Sequence, residues 1–248
     1  MKNISRFLLL PLLLVSLTSC EALLQILDEN LPAGPVDPTS TEIAGGLQDA
    51  LLQGSTFAIN TLSAEGGFLN DASVKIPFPQ EAKIVADKLR QIGLGGLVDE
   101  FEGRLNAGAE KGAKLALPIF TSAIKEMTFD DAKNILLGGE KAATDYFRQK
   151  TTAKLTNAFS PMIKKSLDEV KATDAWTQIT TKYNSIPFVQ KKVNTDIVQY
   201  ATDRALLGLF SKVEIEEKKI RDNLNARRTE LLQKVFAYAD RQLNKTAN

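Results

Sequence analysis

From Thr39 onward, apolar residues recur every three to four positions and almost nowhere alternate. Ile43, Leu47, Leu51, Ala58 and Leu62 make one stripe, the spacing that gathers side chains on one face of an α-helix. The sequence holds no Asn-Gly or Asp-Gly pair to turn a hairpin, and its longest alternating apolar piece is Val74, Ile76, Phe78. This pattern predicts an all-α chain, a single compact domain of about eight to ten helices over residues 39–248. No segment repeats at a fixed period.

Local signals place the expected boundaries. Thr39-x-x-Glu42 is a capping-box pattern and opens the first helix. Residues 63–80 predict an ordered loop, because Val74, Ile76 and Phe78 want burial. Pro79 suits the first position of a helix Glu81–Ile92 that stops at Gly93. A long periodic segment follows, Leu97–Leu117, broken at Pro118. Thr128-x-x-Asp131 is a second capping pattern, opening a short helix that ends in Leu136-Leu137-Gly138-Gly139. A helix from Glu140 toward Ala158, then Pro161–Val170, Thr173–Tyr183, Phe188–Phe210 and Glu214–Leu243, completes the expected set.

Ahead of this domain stand Lys2 and Arg6, an apolar run Phe7–Leu17, and Leu17-Thr18-Ser19-Cys20. The run is too short for a mature transmembrane helix and reads as a signal peptide, residues 1–19. Leu17–Cys20 resembles the lipobox of bacterial lipoproteins. A small residue precedes the cut, and the Cys20 thiol would accept the lipid. Residues 20–38 then form a tether with a stiff stretch, Pro32 to Pro38, next to the domain. The expectation is an exported lipoprotein held on a membrane through Cys20. Glu21 after that cysteine favours the outer membrane, facing the periplasm.

Composition narrows the chemistry. The chain has 248 residues with 31 basic and 30 acidic side chains, so it offers no global excess for nucleic acid, and none is expected as a partner. It has no histidine and one cysteine. Ser-His-Asp and Cys-His systems and His-ligated metals are thereby excluded. Lipidation would consume the cysteine, leaving no disulfide, thiolate nucleophile or Cys-ligated metal in the domain. The 44% hydrophobic content must therefore supply stability through a core. No cofactor is called for, and no metal set stands out.

Several blocks resemble the bacterial family catalogued as domain of unknown function 4197. They are Val74-Lys-Ile-Pro-Phe-Pro79, Arg104-Leu-Asn106 with its small-residue helix through Ala116, and Thr128-Phe-Asp-Asp131. Ile135-Leu-Leu-Gly-Gly139 with Ala142 to Arg148, Leu206 to Phe210, and Glu216 to Phe236 complete them. The resemblance runs from about Glu42 to Phe236, and Gly138–Arg148 is its most specific part. It implies an exported, mostly helical protein with no assigned activity. One departure is Ala107, where the family pattern leads one to expect a basic residue after Asn106.

Candidate site residues come from that block. Gly138 and Gly139 precede a helix whose free N–H groups and positive dipole end suit an anion, with Thr144 in its first turn and Arg148 two turns on. Arg221, at i,i+4 from Glu217, is a further candidate. The competing and favoured reading of Gly138-Gly139 is a left-handed helix terminus, with Ala142-Ala143 allowing close packing. Trp176, the single tryptophan, reads as core. By elimination the function expected is a non-catalytic binding or structural module for an envelope protein, a polymer or an apolar molecule. The alternative is a histidine-free hydrolase or metal-dependent enzyme using Asp130, Asp131, Glu216 and Glu217. Oligomeric state is not legible.

Overall fold

The computed structural model describes residues 36–185, 192–194 and 196–246. Cys20, the signal peptide and most of the tether lie outside them. The chain folds as an all-α domain, and Pro38–Asn248 forms one compact unit.

Its helices, among the described residues, are α1 (Ser40–Ser63), α2 (Lys83–Gln91), α3 (Gly95–Ala113), α4 (Ala116–Lys125) and α5 (Phe129–Leu136). They continue with α6 (Ala142–Asp168), α7 (Ala172–Asn184), α8 (Ile197–Asp222) and α9 (Glu230–Thr246). Both capping boxes form. The Thr39 hydroxyl accepts the Glu42 N–H while the Glu42 carboxylate accepts the Thr39 N–H, and Thr128 and Asp131 do the same at α5.

Helix α6 is the centre of the bundle and packs against α3, α4 and α8. Small residues set the α3–α6 approach. A Cβ on Gly108 would stand 2.7 Å from the Ile163 Cα, and one on Gly112 2.7 Å from the Phe159 ring. Phe68, Phe120, Phe147, Phe159 and Phe210 are all fully buried in the core. Phe120 and Phe147 meet at 4.6 Å between centroids, close enough to add to their area burial.

The 64–79 loop is ordered, and α3 is the reason. The Asn106 side chain accepts the Ile76 N–H at 2.9 Å and donates to the Ile76 carbonyl at 2.9 Å. Glu110 accepts the Phe68 N–H, and Glu102 accepts the Phe78 N–H. Val74 and Ile76 are buried as their alternation requires, while Phe78 is half-buried.

Several helix limits differ from expectation, each for a physical reason. Pro161 lies inside α6 and does not split it. It is exposed, so the carbonyl four residues back has access to water. The break expected at Pro118 falls at Lys114–Leu115, and Pro118 sits in the first turn of α4, where its missing N–H has no helical partner to lose. Pro79 precedes a short 3-10 turn, Gln80–Ala82, before α2. The expected start at Phe188 lies outside the described residues; 192–194 and 196 are not helical, and α8 begins at Ile197. Helix α8 then runs unbroken past Phe210 and Glu214 to Asp222, and the chain turns at 223–229 instead. Helix α6 starts at Ala142, two residues after Glu140. Gly138 is not left-handed: among the described residues the positive-φ glycines are Gly66 and Gly93. Crowding, not φ, makes Gly138 special. A Cβ there would lie 2.5 Å from the Asn134 carbonyl and 2.8 Å from the Ala142 methyl.

Candidate functional site

Two constellations stand out, one polar and one apolar. The polar one joins the Gly138–Arg148 block to the distant Glu216–Arg228 block. Thr144 and the first turn of α6 face Glu217 of α8, which is 8% exposed. Its carboxylate accepts the Ala143 N–H at 2.9 Å, the Thr144 N–H at 2.8 Å and the Thr144 hydroxyl at 2.8 Å. The positive end of α6 thus holds an anion already, and it is the chain's own.

Arg221 completes the arrangement. Its guanidinium donates to Glu217 at 2.8 and 3.0 Å and to the carbonyls of Ile135 and Leu136 at the end of α5. One ion pair therefore closes the last turn of α5 and the first turn of α6, across Gly138 and Gly139. Arg227, 3% exposed, repeats the device at the end of α8, donating to the Ile220 and Arg221 carbonyls and to Asp240.

Each candidate residue now has a place. Thr144 and Arg221 meet on Glu217. Gly139 leaves open space where a Cβ would stand, and with Gly138 and Arg221 lines a shallow hollow of about 340 Å³. Arg148 is not in this group: it is exposed, with its guanidinium 4.7 Å from the Phe210 ring centroid. An external anion at the start of α6 would have to displace Glu217.

The carboxylates of the enzyme reading do not meet. Asp131 closes the Thr128 cap, whose hydrogen bonds hold it below the usual carboxylate range. Glu216 pairs with Lys219 at 2.6 Å, and Glu217 faces α6. Among the described residues no group of three or more Cys, Asp or Glu side chains is arranged to hold a metal. Tyr146 and Tyr200 donate to the carbonyls of Ala123 and Pro77, and burial raises both phenols.

The apolar constellation is a groove that sequence reasoning missed. Helices α2, α3 and α7 converge without closing, leaving a cavity of about 290 Å³. Its floor is a trio of rings. Phe78 and Phe101 lie 5.2 Å apart, Phe78 and Trp176 5.4 Å, and Phe101 and Trp176 5.6 Å in near-parallel planes. Trp176 is held by donation from Nε1 to the Asn194 carbonyl at 3.0 Å. Val85 and Leu89 of α2 and Val98 of α3 form the walls. Ile84 and Leu97 make the lip, 64% and 55% exposed, and Ile92 and Leu94 extend this apolar surface. Side chains of this size usually bury on folding; four exposed on one helix–turn–helix corner make it a candidate contact surface. The available signal was α2 and its C-cap, with Ile84, Val85, Leu89 and Ile92 spread over more of the surface than one core contact needs.

No curated protein and no solved structure matches the chain. The family model described as protein of unknown function (DUF4197) matches residues 37–237, and the chain belongs to that family.

Proposed function

We propose that the chain is a lipid-anchored, non-catalytic binding module of the cell envelope that takes an apolar molecule in the groove between α2, α3 and α7. The groove is the observation that carries the binding reading. Its volume, near 290 Å³, is at the small end of ligand pockets, and its aromatic floor and apolar walls match their usual lining. The anchor rests on Leu17–Cys20 and the apolar run before it; Glu21 supports an outer-membrane address facing the periplasm. An enzyme using Asp130, Asp131, Glu216 and Glu217 needs at least two of them in one cleft, and three of the four serve separate partners.

Trp176 is the chain's single tryptophan and forms the groove floor, so its emission reports occupancy. Titration with the uncharged dye N-phenyl-1-naphthylamine should quench Trp176 saturably through energy transfer. Ala175→Phe, which fills the groove from α7, should abolish the response. Dye binding untouched by Ala175→Phe places the site elsewhere. The anchor is tested separately: Cys20→Ser should remove lipid attachment and membrane retention, since stable anchoring takes two or more acyl chains. A Cys20→Ser protein that stays wholly with membranes after an alkaline wash contradicts it.

A further inference from the structure

The groove has one polar feature that its apolar walls do not explain. Lys171, in the turn between α6 and α7, lines its rim with φ +55°, and it is the one non-glycine residue with positive φ among the described residues. Glycine is the usual occupant of such a position after a helix, because a Cβ is disfavoured there. A lysine instead puts a side chain that ends in an ammonium among the residues lining the groove. That ammonium makes no ion pair among the described residues, and the side chain is exposed. The two carboxylates on the rim are differently placed. Glu100 lies 3.8 Å from the Arg104 guanidinium, and Glu81 also has a partner. Of the three charged residues that line the groove, Lys171 is thus the one without an ion-pair or hydrogen-bond partner among the described residues, beside a slot with room for one narrow chain.

We infer that the groove binds a single-chain carboxylate amphiphile, a free fatty acid, with its hydrocarbon against Trp176 and Phe101 and its carboxylate on Lys171. This rests on the groove being the binding site and names what it takes. One charge on the protein matches the single charge of a carboxylate. The walls gain by burying methylenes, and the head group remains at the solvent edge where the lysine stem reaches it.

The test uses the full chain carrying Cys20→Ser, Trp176 emission, and two probes of equal length, dodecanoate and dodecanol, each below its aggregation limit. Lys171→Gly removes the ammonium and relieves the backbone, so it should fold at least as stably as the parent. It should weaken dodecanoate about fivefold, the size of one solvent-edge ion pair, and leave dodecanol unchanged. Lys171→Arg should retain dodecanoate affinity. Unchanged dodecanoate affinity in Lys171→Gly overturns the head-group assignment alone. Equal loss of both probes makes Lys171 a structural turn residue and also overturns it. If neither probe moves Trp176 emission in the parent, the groove reading itself fails.

Discussion

The two constellations are built from different residues, one at the Glu217 end of α8 and one between α2, α3 and α7, and they follow opposite rules. Around Glu217 the polar groups are matched: the buried carboxylate takes two backbone N–H groups, a hydroxyl and the guanidinium of the partly buried Arg221. Around Trp176 the side chains are apolar and the packing stays unfinished, with Ile84 and Leu97 in solvent beside an open cavity. A buried ion pair satisfied on all sides holds helix ends in place but leaves nothing for a ligand. An apolar slot holds little together and offers a surface. The first turn of α6, in the most specific sequence block of this chain, is therefore already occupied by the chain's own carboxylate, and the less conspicuous helix α2 borders the open groove.

The sharpest way to break this comparison is Glu217→Ala. It strands the Ala143 and Thr144 N–H groups and leaves the Arg221 guanidinium without its carboxylate. Removing one partner of a buried pair costs about 3–5 kcal/mol, a large share of a typical domain's roughly 5–15 kcal/mol. Its neighbour Glu216→Ala loses only a pair with the half-exposed Lys219 and should cost about 1 kcal/mol or less. Urea unfolding of both variants measures the difference. Equal, small effects would remove the scaffold role from the Glu217–Arg221 pair.

The contrast also explains what could be read from sequence. The two capping boxes are decided within four residues, so Thr39-x-x-Glu42 and Thr128-x-x-Asp131 were legible. So was the Gly93 stop, where φ is +82°. The i,i+4 spacing of Glu217 and Arg221 was visible, but their real partners lie more than 70 residues away on α5 and α6. No local pattern tells a solvated charge pair from one that seals two helix ends. Pro161 misled for a related reason: a proline ends a helix only where its lost bond and its ring cannot be accommodated, and its exposed face is set by tertiary packing. The groove was invisible because it is made by three helices failing to close, and because Trp176 is itself buried, at 5% exposure. A core tryptophan and a groove-floor tryptophan carry the same sequence signature.

A probe of intermediate size sits between the two ends. Asp71, in the loop that α3 pins, pairs with Lys212 of α8 at 2.5 Å and accepts from Ser73. The Lys212 hydrogen bond, helped by Ser73, holds its pKa at about 2 against an ordinary 3.8. A carboxylate depressed in the folded state contributes stability above its unfolded pKa and loses it as pH falls toward the folded one. Asp71→Asn should therefore lower the melting temperature at neutral pH, and its gap to the parent should shrink as pH falls from about 4 to about 2. A gap that is constant over that range would show that the side chain acts by shape alone. Glu42, lowered to about 2 by Lys234, adds to the same acid limb.

The smallest effects on stability belong to exposed side chains, and there the comparison predicts a split in function. Arg148→Ala removes an exposed cation–π contact with Phe210 and should cost about 0.5–1 kcal/mol. Unfolding as severe as that of Glu217→Ala would make Arg148 part of the scaffold. Ile84→Gln goes further. Ile84 is 64% exposed on α2, and glutamine forms helix slightly better than isoleucine, so the change should lie within about 0.5 kcal/mol of zero. Its effect on binding should be far larger in proportion, because it replaces the groove's apolar lip with an amide that must lose water on contact. Measuring thermal stability and dye affinity on the same Ile84→Gln preparation separates the two. Weaker binding with unchanged stability is the signature of a surface kept apolar for a ligand, whereas lost stability with it would mean that Ile84 packs into the fold and that the groove is a defect of the core.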